Sequence, residues 1–175
     1  HNIISQIQLS PTPEIKLQYI NQIYKQSKLI TLKIQDSSLP ASLDNLMAAP
    51  TKPCSNDTIK VTVIVPTYNS AEYVVTALRG LQGQTWRNLE IIIVDDNSDD
   101  NTLSILKSFA ESDLRFKVFQ QHSNQGAYAA RNFALQHATG DFIVNHDSDD
   151  WSHPQRIQFQ VEHLLSHKAL MGVMT

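Results

Sequence analysis

The chain has 175 residues, 41% of them hydrophobic and 18% charged, and a net charge of -3 at pH 7. These values are typical of a globular protein with one sizeable core, and the acidic balance argues against nucleic acid as a partner. The single cysteine, Cys54, excludes an internal disulfide and fits a reducing compartment, so we predict a cytoplasmic protein. No signal peptide and no transmembrane segment is visible. Peripheral association with a membrane stays open.

The first 57 residues differ from the rest and are predicted to be an appendage. Residues 12–14 (Thr-Pro-Glu) have the pattern of a helix N-terminus, and apolar residues follow at helical spacing. Three prolines, with Ser and Asn between them, then indicate a linker: Pro40, Pro50 and Pro53. We therefore predict a helical appendage and linker over residues 1–57 and a second domain over residues 58–175. Because the chain does not start with Met, we expect it to be part of a longer protein.

Two runs of β-branched residues predict strands that are buried on both faces, as in a parallel sheet. Residues 60–65 form the first run and residues 90–94 the second. An apolar stripe at helical spacing lies between them and predicts a helix. This helix is expected to begin at Asn69 or Ser70 with a capping box and to end at Gly83.

Strands and helices continue to alternate along the rest of the chain. Two helices and two strands are predicted in turn: residues 101–112, 116–119, 127–138 and 141–145. His153 and Pro154 are expected to open another helix, and residues 169–174 another strand. Repeated β-α units of this length predict an α/β fold, a three-layer α/β/α sandwich on a mostly parallel sheet.

Polar and acidic clusters directly follow three of the predicted strands: residues 66–69, 95–99 and 147–150. Ligands of parallel sheets bind outside the carboxyl ends of the strands, so we expect the three clusters to converge on one ligand. Carboxylates clustered after a short strand are typical of a site for Mg²⁺ or Mn²⁺, because these cations prefer oxygen ligands and offset the repulsion between like charges. One such cluster alone would also fit a solvated acidic turn.

Five motifs occur in order along the chain: residues 63–69, 84–90, 94–98, 129–132 and 147–151. Together they resemble the nucleotide-binding half of family 2 glycosyltransferases with the GT-A fold, over about residues 58–175. The resemblance implies a UDP- or GDP-sugar donor and a Mn²⁺ or Mg²⁺ cofactor. It further implies transfer of the sugar, with inversion, to a saccharide or glycoconjugate acceptor.

The resemblance also assigns roles to individual residues. Tyr68 would stack on the nucleobase, and Asp96 would accept a hydrogen bond from the N–H of the base ring. Asp149 would ligate the metal, while Asp147 would contact the ribose or a metal-bound water, or act as a further metal ligand. Arg131 suits either the diphosphate or the acidic loop as a partner. The remaining nucleotide-binding positions are Pro66, Thr67, Asn69, Gly126 and Ser148.

Structural alternatives exist for several of these residues. Tyr68 also fits a turn residue that packs on its own helix, and Asp96 fits an acid that complements a helix dipole. Arg131 also fits an ordinary surface residue. His146, directly before the acidic cluster, departs from the apolar residue usual in the family and is interpreted as a packing residue rather than a ligand.

Two other functions stay open: a non-catalytic nucleotide-binding or scaffold module, and a nucleotidyltransferase of similar α/β layout. The second class normally opens with a Gly-rich basic loop, which residues 66–69 lack. Inverting transfer needs a general base, and the resemblance puts that base beyond Thr175. We therefore assign no catalytic residue here and expect this chain alone to bind nucleotide without transferring sugar. We also expect it to self-associate through an unpaired last strand.

Overall fold

The structure, a computed structural model, describes residues 12–40, 42–48, 54 and 58–173. The first helix, α1 (Pro13–Gln26), begins as the sequence predicts, because Ile15 N donates a hydrogen bond of 3.4 Å to Thr12 Oγ1. Of the helices in the described ranges, none combines the length and apolar character needed to cross a bilayer.

Part of the predicted linker is folded. Strands β1 (Leu32–Ile34) and β2 (Leu46–Ala48) form an antiparallel ribbon, and a short 3₁₀ helix precedes β2. Buried Asn45 organises the connection, since its side-chain amide donates to three carbonyl oxygens and accepts from one backbone N–H. Composition alone favoured a linker because side-chain bonds of this kind leave no periodic pattern in the sequence. Pro50 and Pro53 lie outside the described residues.

The rest of the described chain alternates strands with helices. The strands are β3 (Val61–Thr67), β4 (Leu89–Asp95), β5 (Phe116–Gln120) and β6 (Phe142–Asn145). The helices are α2 (Val74–Gln82), α3 (Thr102–Ser112), α4 (Ala127–His137) and α5 (Arg156–Ser166). The strands form one sheet in the order β5-β4-β3-β6, and every neighbouring pair is parallel. The predicted α/β fold on a parallel sheet is confirmed.

Helices cover both faces of this sheet, as expected for three layers. The larger core joins one face of the sheet to α2, α3 and α5, through residues that include Val63, Val65, Leu78, Leu106 and Ile157. The smaller core joins the other face to α4, through Ile64, Ile92, Val94, Ala130 and Ala134. Alternate residues of β3 and β4 therefore enter different cores, which explains why both strands are apolar throughout.

Two helices begin later than the sequence predicts. α2 begins at Val74 and has no side-chain cap. The predicted caps bond elsewhere, since Asn69 Oδ1 accepts from Asp99 N and Ser70 Oγ donates to the carbonyl of Tyr68. α5 begins at Arg156, two residues after Pro154. The strand predicted at residues 169–174 is wrong as far as the structure describes it, since residues 169–173 form a turn and irregular chain.

Candidate functional site

A cavity of about 280 Å³ opens at the carboxyl ends of β3 and β6. The strand order reverses at this point, because β4 lies on one side of β3 and β6 lies on the other. Such a reversal leaves a crevice where ligands of these folds bind. The cavity is lined by Pro66, Thr67, Tyr68, Ser70, Asp96, Ala127, Arg131, Asp147, Ser148 and Asp149. The three polar clusters after the strands therefore meet at one place, as the sequence predicts.

The lining includes every residue that the sequence analysis assigned to nucleotide or metal binding, except Asn69 and Gly126. Both of these are exposed and take part in hydrogen bonds that connect the loops next to the cavity. Ser70 and Ala127 also line the cavity, although the sequence analysis does not assign them to the site. The position of Ser70 directly after the first polar cluster is a feature that could have indicated it, but the same position also fits a helix cap. For Ala127 the sequence offers no indication beyond its place after Gly126.

Asn69 joins the loop after β3 to the loop after β4. Its backbone N donates to Ser98 Oγ at 2.9 Å, and its Oδ1 accepts from Asp99 N at 3.0 Å. Ser98 Oγ in turn donates to Asp95 Oδ1 at 2.5 Å. The φ angle of Asn69 is 47°, a left-handed conformation that Asn tolerates better than most residues. This network keeps the backbone next to Tyr68 fixed at the mouth of the cavity.

Asp96 is 2% exposed and binds the loop before α4. Its Oδ1 accepts from Gln125 N at 2.8 Å and its Oδ2 accepts from Gly126 N at 2.6 Å. Gly126 has a φ angle of 87°, which side-chain-bearing residues rarely adopt. Each carboxylate oxygen has a second lone pair, so Asp96 retains acceptor capacity towards the cavity that it lines.

The acidic turn after β6 is attached to the rest of the site by two contacts. Arg131 Nη2 donates to Asp147 Oδ1 at 2.5 Å, and the hydroxyls of Ser148 and Ser70 lie 2.9 Å apart. Of the two partners suggested for Arg131, the structure shows the acidic loop. The guanidinium also lies over the ring of Tyr128, 5.7 Å from its centroid. One oxygen of Asp147 has no part in this ion pair and is available to a ligand.

Asp149 differs from Asp147 in its surroundings. Its side chain is exposed at the cavity, and no hydrogen bond or ion pair to its carboxylate occurs within the described part of the chain. A carboxylate without such partners is free to bind a cation directly.

His146 lies beneath the acidic turn and is 2% exposed. Its Nδ1 accepts from Arg156 Nη1 at 3.3 Å. Burial, followed by the nearby positive charge of Arg156, lowers the pKa of His146 to about 4. The imidazole is therefore uncharged at neutral pH and does not offset the carboxylates. Its position agrees with the interpretation of His146 as a packing residue.

Arg156 was not singled out from the sequence, although it contacts both sides of the acidic turn. Its guanidinium donates to the carbonyl of Asn145 at 3.2 Å, before the turn, and to Ser152 Oγ at 2.9 Å, after it. An arginine at the start of an amphipathic helix carries no local signal for this role, because both partners are set by the tertiary fold.

The metal prediction rests on Asp147 and Asp149, which share the cavity. Within the described ranges, no group of three or more His, Cys, Asp or Glu side chains is arranged to hold a metal by itself. Two carboxylates still fit Mg²⁺ or Mn²⁺, because Mg²⁺ in particular keeps several waters and commonly takes its other ligands from substrate phosphates. The residues present therefore fit a cation that binds together with a diphosphate.

Residues 62–174 match the family model described as Glycosyl transferase family 2. Over 114 residues the chain is 36% identical to glycosyltransferase GlyA of Streptococcus pneumoniae. The aligned region covers 65% of this chain and 16% of GlyA. The chain spans between 16% and 44% of the length of four curated relatives that it matches.

Two solved structures are similar to this chain. TarS of S. aureus, residues 1–349 in complex with UDP-GlcNAc, matches with a TM-score of 0.59 and 35% identity, covering 63% of this chain and 32% of that one. The mannosyltransferase PcManGT of Pyrobaculum calidifontis, in complex with GDP-Man and Mn²⁺, matches with a TM-score of 0.50 and 33% identity. The match covers 59% of this chain and 32% of PcManGT. Since the family model covers well over half of its residues, the chain belongs to glycosyl transferase family 2.

Proposed function

We propose that the 280 Å³ cavity binds the nucleotide diphosphate part of a UDP- or GDP-sugar. The observation that carries this proposal is the convergence of an exposed aromatic ring, a fixed carboxylate and an unpaired carboxylate on one cavity: Tyr68, Asp96 and Asp149. The complexes of similar proteins with UDP-GlcNAc and with GDP-Man support this class of donor.

The base and the diphosphate would occupy opposite ends of the cavity. Tyr68 is 48% exposed, so its ring offers a face on which a base can stack, and Asp96 offers an acceptor for the ring N–H of uracil or guanine. Asp147 and Asp149 would hold Mn²⁺ or Mg²⁺ together with the diphosphate oxygens. The cation, when bound, supplies positive charge that stabilises the departing diphosphate.

The transfer reaction is part of the same proposal. We propose that the whole protein transfers the sugar to a saccharide or glycoconjugate acceptor with inversion, using a general base that lies beyond Thr175. Among the residues described here, Arg131 contributes by holding Asp147 at the cavity, and its guanidinium also suits an incoming phosphate. Self-association of the chain and its cytoplasmic location, with or without peripheral membrane contact, remain predictions.

A binding screen tests the proposal directly. UDP, GDP, CDP and ADP are titrated into the protein by calorimetry, with Mn²⁺ and without it. We expect one of UDP and GDP to bind more tightly than the other nucleotides, and this preference to need Mn²⁺. A scaffold module would show no preference. Tight ADP binding would contradict the proposed UDP- or GDP-sugar donor.

Replacing Tyr68 with Ala should weaken binding of the preferred nucleotide by roughly 1–3 kcal/mol, because the stacked ring is lost. Tyr68→Phe keeps the ring and should retain most of the affinity. Calorimetry with Mn²⁺ present measures both variants. Equal losses in the two would mean that the hydroxyl, and not the ring face, is what the ligand uses.

Replacing Asp96 with Ala should reduce the preference for UDP over CDP, since CDP lacks the ring N–H that the carboxylate would accept. The same change removes the hydrogen bonds from Gln125 N and Gly126 N. If the loop moves as a result, the binding of both nucleotides should weaken to the same extent. The ratio of the two dissociation constants is therefore the relevant measurement. An unchanged ratio would remove Asp96 from base recognition, whatever happens to the absolute affinity.

A further inference from the structure

The segment between the acidic turn and α5, residues 151–155, is held from outside by the N-terminal part of the chain. We call residues 12–40 and 42–48, which contain α1, β1 and β2, the N-terminal unit. This unit lies outside residues 62–174, the part of the chain that matches the family model. Its docking on residues 151–155 is therefore a property of this chain and not of the matched region.

The docking uses both backbone groups of one residue, Ile30. Its N–H donates to Gln155 Oε1 at 2.8 Å, and its carbonyl accepts from His153 Nε2 at 2.9 Å. The ring of Tyr24, from α1, packs on the His153 ring with the centroids 4.7 Å apart. His153 Nδ1 accepts from Gln155 N at 3.2 Å, which fixes the Nε2–H tautomer that bonds to Ile30.

Residues 153–155 are also held from the opposite side, by the connection between α2 and β4. The carbonyl of Pro154 accepts from Thr85 N at 2.8 Å, and the carbonyl of His153 accepts from the side chain of Gln84 at 3.0 Å. Gln84 is fully buried. The segment is thus fixed between the sheet domain and the N-terminal unit, and loss of either support would free one side of it.

A continuous set of contacts leads from this segment to the acidic turn. Arg156 follows Gln155 directly and donates to Ser152, to His146 and to the carbonyl of Asn145. His146 N donates to the carbonyl of Ile64 at 3.0 Å, which anchors the start of the turn to β3. Between these anchors lie the two carboxylates that line the cavity.

We propose that the N-terminal unit is a positioning element of the donor site. Its docking of Ile30 on His153 and Gln155 holds residues 151–156 in place. Arg156 in turn holds the acidic turn in the geometry that binds metal and diphosphate. The proposal rests on the proposed function, because it concerns the same carboxylates. Coupling through such contiguous contacts is typically modest, so we expect changes of about three- to tenfold in affinity and not a loss of binding.

His153→Ala and Tyr24→Ala test the proposal from the two sides of the contact. Each should raise the Mn²⁺ concentration that half-saturates UDP or GDP binding by about three- to tenfold. The double variant should raise this Mn²⁺ concentration no further than the more affected single variant does, because both substitutions remove the same docking contact. His163→Ala is the matched control. His163 is half-buried on α5, and its ring stacks on Phe159 and His167, away from the docking contact. This variant should leave the half-saturating Mn²⁺ concentration unchanged.

Amide hydrogen exchange gives a second measurement that needs no nucleotide. In His153→Ala the amides of His146 and Asp150, bonded to the carbonyls of Ile64 and Asp147, should exchange faster than in the unmodified protein, while the amides of β4 should not. If the variant lowers thermal stability but leaves both the Mn²⁺ half-saturation and these exchange rates unchanged, the N-terminal unit only stabilises the fold and the proposal is wrong. If the unmodified protein binds no nucleotide with Mn²⁺, the proposed function fails, and unchanged exchange at His146 and Asp150 would then overturn the positioning role separately.

Discussion

Replacing Asp149 with Asn should weaken the binding of UDP or GDP in the presence of Mn²⁺ by about tenfold or more, the loss expected for a charged oxygen that ligates the metal directly. The fold should persist, because the Asp149 side chain is exposed and makes no hydrogen bond or ion pair within the described residues. Affinity measured without metal should stay the same, or rise slightly because one negative charge near the diphosphate is gone.

Calorimetry with and without Mn²⁺ separates these effects. Asp99→Asn is the matched control, since Asp99 is also exposed at the carboxyl edge of the sheet but does not line the cavity. It should leave the affinity in Mn²⁺ unchanged. An equal loss in both variants would point to general electrostatics, and unchanged affinity in Asp149→Asn would remove this residue from the metal site.

Replacing Glu90 with Ala should lower the free energy of unfolding by roughly 2–4 kcal/mol at pH 7. Glu90 is 2% exposed at the amino end of β4. Its carboxylate accepts from Thr62 Oγ1 at 2.7 Å, from Thr139 N at 2.9 Å and from Lys117 Nζ at 2.6 Å, with Lys60 Nζ at 3.4 Å. The acid thus ties the connection between α4 and β6 to the middle of the sheet. Urea unfolding measures the change.

The contribution of Glu90 should also depend on pH. Burial alone would raise its pKa, but the bonds from Lys117, Thr139 and Thr62 outweigh burial and lower the pKa from 4.5 to about 2. A carboxyl whose pKa is lower in the folded state stabilises the fold fully above its unfolded pKa, and this stabilisation is lost as pH falls through the folded value. The difference in stability between the protein and Glu90→Gln should therefore shrink by roughly 3 kcal/mol from pH 6 down to pH 2.

Glu111→Gln is the control for this titration, because Glu111 is exposed on α3. Its stability difference from the unmodified protein should stay near zero over the same range. A difference for Glu90→Gln that does not vary with pH would mean that the side-chain shape of Glu90 matters and its charge does not.

The sequence by itself determined the fold class and the place of the site. Residues 61–65 and 89–94 are apolar at almost every position, and only a strand covered on both faces accommodates such a run. Once those strands are parallel, their carboxyl ends share one edge, so the polar residues after each strand must meet there. This reasoning needs only local patterns and one rule of topology, and for that reason it located Tyr68, Asp96 and Asp149 at one cavity.

The tertiary structure alone decided how the site is held. The contacts of Ile30 with His153 and Gln155 join residues more than 120 positions apart, and no pattern near either end predicts them. The bonds of Arg156 beneath the acidic turn and of Asn45 in the ribbon join residues much closer in sequence, but no periodic pattern predicts them either. Hydrogen bonds of this kind depend on distance and angle after the chain has folded, whereas hydrophobic burial depends on residue type and period. The sequence therefore predicted which residues meet, and only the fold determined which residues support them.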